Sequence, residues 1–365
     1  MILDNKIRKI FLERFDTIPD IILSVPKCIN VFGNYYGLSS KIINSIAIVS
    51  NLSKTFIAIC RTNSKGLIFS FNNNDKIYQS RDKNQYNNIM RLVNDFLIDF
   101  HYEDKYLENC GYKILFFDTN NSSLVFSEIN NKEYFLQYTI LFLLAFKELN
   151  KITSNDIINI VCSIYSEIKE LNSLSRDYYH NLFHEAIDLM HYTIINNFGI
   201  LEYNNADIKL VENYKDFFND NNLYIIEISP RENSSLYNNY INDKLHIINN
   251  RIIISELIDF ENKNSVDFYD SIKCNNFNKF LNCINKSNVM LDEKLFENKY
   301  LELHYILEIS HILPEFLCSK IVISNFEMVS TIHFIRSKNL EQFVNRVATA
   351  FKIYNGEYPI IDMYN

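Results

Sequence analysis

The chain has 365 residues, 47% of them hydrophobic and 22% charged, which supplies a sizeable core for one large or two medium domains and excludes global disorder. A formal charge of -8 speaks against a nucleic-acid binder, which carries a basic stripe. Seven scattered cysteines form no C-x-x-C pair and fit reduced cytosolic thiols better than a disulfide framework or a zinc ribbon.

The opening MILDNKIRKIFLERF alternates charged and apolar residues and lacks the continuous apolar stretch of a signal peptide. The longest apolar run, around Tyr138–Phe146, is about half of what a membrane span needs. The expectation is a soluble, cytoplasmic protein with neither nucleic acid nor membrane as partner. Glycine is scarce: six residues, where average usage near 7% would give about 25. Loops that cradle phosphate resist such loss, because their backbone needs positive φ and close approach to the ligand.

In chain order, residues 5–15 read as a short amphipathic helix. Strands are expected at 20–32, 43–49, 55–60 and, after the turn Asn63-Ser64-Lys65-Gly66, at 66–71. A helix over 83–101 places Ile89, Leu92, Val93 and Phe96 on one face, and a strand follows at 111–117. Residues 131–150 form a strongly apolar helix, 154–171 another with its capping region at Thr153–Asp156, and 177–196 a longer one. A strand is expected at 200–203. Composition turns polar and acidic near 205–222, the natural boundary. Beyond it come strands at 223–229 and 251–256, helices near 274–286 and 294–310, and strands at 319–324 and 330–335. A last helix over 338–354 repeats Phe343, Val347 and Phe351 at i, i+4, i+8. Two blocks of mixed strands and helices predict an α+β protein.

Five stretches in this order resemble the galactokinase-like sugar kinases of the GHMP kinase superfamily. In VPKCINVFGNYYGLSSK (Val25–Lys41), Pro26, Asn30 and Gly33 stand where an Ala-Pro-Gly-Arg-Val-Asn run leading to Gly-Glu-His-Thr-Asp-Tyr has them. TFIAICRTNSKGLIFSF (Thr55–Phe71) is similar to the hairpin that follows. SLYNNYINDKLHI (Ser235–Ile247) sits at a Tyr-Asn run, and KFLNCINKSNVML (Lys279–Leu291) resembles a helix ending in Ser-His-x-x-Leu through Ser287, Asn288 and Leu291. Ser330–Tyr364 resembles the closing strand, helix and tail, with Tyr354 only two residues before Gly356.

The resemblance implies two domains, 1–212 with an S5-like α/β fold and 213–365 with a ferredoxin-like fold, and ATP-dependent phosphorylation of a sugar hydroxyl. It also implies where the working residues belong. Cys28 stands at the arginine that stabilises transferring charge, and Asn34, Tyr35 and Tyr36 replace the groups that grip the sugar, leaving Asn34 as the candidate sugar ligand. The ATP loop corresponds to Thr119–Phe135, which holds no glycine or proline; Ser122 and Ser123 are the candidate remnants, while Glu128 and Glu133 repel phosphate. The second glycine-rich motif corresponds to Ser319–Val329, again without glycine. Glu167 resembles the magnesium-binding glutamate. Counting from the strand at 200–203 puts the catalytic aspartate at Asp188, whereas counting from Glu167 lands nearer Asp177; Asp188 is preferred.

A competing constellation lies on the same helix. His180, His184, Asp188 and His191 share one stripe, and HEAID shadows the zinc motif H-E-x-x-H. Three readings follow: a pseudoenzyme with the fold kept and the chemistry lost, expected to need no cofactor; a divergent kinase using ATP, magnesium and Asp188 as base; and a metal enzyme built on His180, His184 and Asp188. The partner expected for the first is a small molecule or another protein.

Overall fold

The structure is a computed structural model and describes residues 2–32, 45–63, 66–71, 74–79, 111–118, 141–142, 144–150, 199–204, 207–211, 214–230, 251–296, 300–323, 329–336 and 340–364. The helices expected at 83–101, 154–171 and 177–196 lie outside these residues. Packing divides the chain into two compact units, Met1–Val25 with Lys54–Ile187 and Pro26–Ser53 with Asp188–Asn365. The division at 212/213 that the resemblance implies is one of fold types, and we retain it as a proposal.

The first unit is built on strands β2 (Ser45–Thr62, from Lys54 onward), β3 (Gly66–Phe71), β4 (Asn74–Gln79) and β5 (Gly111–Asp118). Their order is β4-β3-β5-β2, with β3 and β5 parallel and the other pairs antiparallel. Helix α1 (Ile2–Phe15) covers one face because Ile7, Phe11 and Phe15 recur every fourth residue and bury against Phe56, Ala58, Leu115 and Phe117. Asp4 in its first turn and Arg14 in its last complement the helix dipole. The ammonium of Lys113 donates to the Phe15 carbonyl at 2.8 Å, closing the helix end. Residues 141–142 and 144–150 are helical. Their Phe142 and Phe146 rings meet Tyr112 of β5 edge-on at 6.2 and 5.4 Å, and Leu141, Leu144 and Ala145 are buried with them, in keeping with the apolar helix expected there.

The expected strands 43–49 and 55–60 are one continuous strand, β2. Asn51-Leu52-Ser53 reads as a break in the apolar pattern, yet the backbone stays extended through it. Residues through Ser53 belong to the second unit, where Ser45–Val49 pair antiparallel with β6 (Gly199–Asn204), itself paired with β7 (Asp207–Leu210). Strand β1 (Ile21–Phe32) also passes from the first unit into the second.

The second unit carries an antiparallel sheet in the order β11-β8-β10-β9, from β8 (Leu223–Ser229), β9 (Phe316–Ile323), β10 (Val329–Arg336) and β11 (Ile360–Met363). Numbered within this block the order is 4-1-3-2, the ferredoxin-like arrangement that the resemblance implied. One face packs on helices α5 (Leu301–His311) and α6 (Leu340–Asn355). There Ile226, Ile228 and Ile335 meet Ile306 and the expected stripe of Phe343, Val347 and Phe351, all three fully buried. The other face packs on α3 (Arg251–Lys273) and α4 (Phe277–Leu291), with α2 (Tyr214–Asp220) and the buried ends of β1 and β2 in the same core.

One element is corrected. Residues 251–256 are the start of the 23-residue helix α3, not a strand. The β-branched run Ile252-Ile253-Ile254 favours a strand locally, but the helix continues to Lys273 and buries Leu257, Ile258, Phe268 and Ile272, and that packing outweighs local preference.

Candidate functional site

Asn34, Ser122, Ser123, Glu167, Asp177, Asp188 and the stripe of His180, His184 and His191 all lie outside the described residues, as do Tyr35 and Tyr36. Of Cys28 the backbone in β1 is described. What the structure does describe is the frame leading to them. Strand β1 ends in Asn30, Val31 and Phe32, each at most 2% exposed, immediately before Gly33.

That end is held by a charged cluster inside the apolar core. The Lys320 ammonium, on β9, donates to Glu261 Oε2 on α3 at 3.0 Å and to the Val31 carbonyl, and lies 4.1 Å from the centre of the Phe32 ring. Ser287 on α4 donates to Glu261 Oε1. Burial pushes the Lys320 ammonium below its ordinary value, while the adjoining carboxylate works in the opposite direction. A charge in such a place is tolerated because it is paired and each oxygen of the carboxylate has a donor. The next residue of α4, Asn288, accepts from the Ile321 amide at 2.8 Å. Ser287 and Asn288, the remnants of the Ser-His-x-x-Leu run, thus bind α4 to α3 and to β9. Neither Lys320 nor Glu261 was singled out from sequence. The available signal was a lysine inside the strand FLCSKIVI.

On the same face of the sheet, cross-strand register places Lys320, Ile332, Glu227 and Asp362 in one row. Glu227 accepts from Ser330 at 2.6 Å and from the Tyr364 hydroxyl at 2.7 Å. The expected closing tail therefore has a job: Gly356 at φ +81° ends α6, β11 pairs with β8, and Tyr364 anchors to Glu227.

The opposite face buries His333 completely. The Thr331 hydroxyl gives its one proton to the Ile228 carbonyl at 3.0 Å. Its 2.8 Å bond to His333 Nε2 therefore needs a proton on the ring, which fixes the Nε2–H tautomer. Nδ1 is left without a partner among the described residues, and the imidazole ring contacts the rings of Phe316 and Phe343. Burial pushes the imidazole down to about 3. The folded state thus binds fewer protons than the unfolded state between pH about 6.5 and about 3. The stability due to neutral His333 is complete above pH 6.5 and is lost as pH falls through that window, by about 1.4 kcal/mol per pH unit. Urea midpoints at pH 7 and pH 5 are expected to differ less in His333→Gln, whose amide keeps the donor to Thr331 but does not titrate. Equal pH shifts in both proteins would refute this.

Among the described residues no group of three His, Cys, Asp or Glu is placed to hold a metal ion. Burial pushes the thiol of Cys283 up to about 11 and that of Cys318 higher still, so both are packing groups rather than nucleophiles. The stretches that the resemblance assigns to ATP and magnesium lie outside the described residues.

The architecture is similar to solved kinases. Galactokinase from Lactococcus lactis, complexed with galactose, matches at 12% identity with a TM-score of 0.64, over 100% of this chain and 97% of that one. Phosphomevalonate kinase from Streptococcus pneumoniae, in complex with phosphomevalonate and AMPPNP, matches at 11% identity and 0.56, over 94% and 99%. Mevalonate kinase from Methanococcus jannaschii matches at 16% identity and 0.53, over 94% and 97%. No protein-family model and no curated protein matches the sequence. The chain has the two-part α+β fold of the GHMP kinases, as the ordered motifs implied.

Proposed function

We propose that this chain is a galactokinase-like pseudoenzyme: it keeps the fold, has lost phosphoryl transfer, and acts in the cytoplasm by binding a small molecule or a protein in a regulatory role connected with sugar metabolism. The observation that carries this reading is where the six glycines stand. They are Gly33, Gly37, Gly66, Gly111, Gly199 and Gly356. Gly33 and Gly37 remain in the opening frame. Gly66 and Gly199, both at positive φ, open β3 and β6, Gly111 opens β5, and Gly356 ends a helix. None falls in Thr119–Phe135, the stretch that would hold phosphate, or in Ser319–Val329, where the second glycine-rich motif belongs, although glycine is what lets backbone amides approach a pyrophosphate.

The opening frame supports the same reading. Cys28 replaces a cationic donor at the reacting phosphate, and losing one such donor costs roughly 10²–10³ in rate. No shift in melting temperature is expected at millimolar ATP with magnesium, because a ligand that binds only the folded state raises stability by mass action. Purified protein is expected to show no galactose-dependent turnover of ATP. Turnover that requires galactose and is abolished by Asp188→Asn would make the chain a divergent kinase instead, with ATP, magnesium and the Asp188 carboxylate as base.

A further inference from the structure

We draw no further inference here: the strongest candidate, the exposed surface patch of Ile353, Tyr354 and Tyr358 where α6 runs into the closing tail, is an apolar face with nothing in the structure to show what covers it.

Discussion

Replacing Lys320 by methionine is expected to destabilise the protein by about 3–5 kcal/mol, the usual cost of stranding one member of a buried ion pair. Glu261 is fully buried and Lys320 2% exposed. Without the ammonium, the carboxylate keeps only the Ser287 hydroxyl, and the Val31 carbonyl loses its donor. The cation also leaves the face of Phe32, a contact that contributes about 2 kcal/mol when desolvated. Glu261→Leu alone is expected to cost less than Lys320→Met. Its orphaned lysine escapes the penalty by releasing a proton, the direction in which burial already drives it. The double variant is expected to be more stable than the sum of the two losses predicts, with a coupling of roughly 1–3 kcal/mol. Urea unfolding of the four proteins measures this. Additive losses below about 1 kcal/mol would mean that the pair is hydrated and holds nothing.

Phe280→Ala is expected to cost about 3–5 kcal/mol, toward the upper end of large-to-small changes in a core. The ring is fully buried. It lies 5.0 Å from Phe268, 5.1 Å from both Phe217 and Phe334, and within 6.5 Å of Phe218 and Phe277. These neighbours come from α2, α3, α4 and β10, so no single shift refills the space, and each lost aromatic pair adds about 0.5–1.5 kcal/mol beyond buried area. Phe280→Leu is expected to lose less. A loss below 2 kcal/mol in Phe280→Ala would show that the cluster collapses onto the gap.

Periodicity made much of this fold legible. Strand β8 occupies 223–229 as expected, and Phe343, Val347 and Phe351 bury as their spacing demanded. Ile252-Ile253-Ile254 misled because three β-branched residues carry a local preference that a 23-residue helix overrides. The Lys320–Glu261 pair was illegible for another reason: the partners are 59 residues apart, and nothing local to either names the other. Family motifs were legible as positions but not as jobs. Ser287 and Asn288 were read as traces of a helix-ending Ser-His-x-x-Leu run, and in the structure they serve as fasteners of α4. The candidate chemical residues Asn34, Ser122, Ser123, Glu167 and Asp188 rest on sequence, where the missing glycines are the stronger signal.

The passage of β1 and β2 from one unit into the other constrains how the protein can be made. Pro26–Ser53 leave the ribosome early, but their unit is completed by residues from Asp188 onward. At about 5–20 residues per second, these apolar strands wait on the order of ten seconds for their core partners. Within the second unit β11 and Tyr364 are translated after every other strand, and until they emerge one edge of β8 is unpaired and Glu227 lacks the Tyr364 hydroxyl.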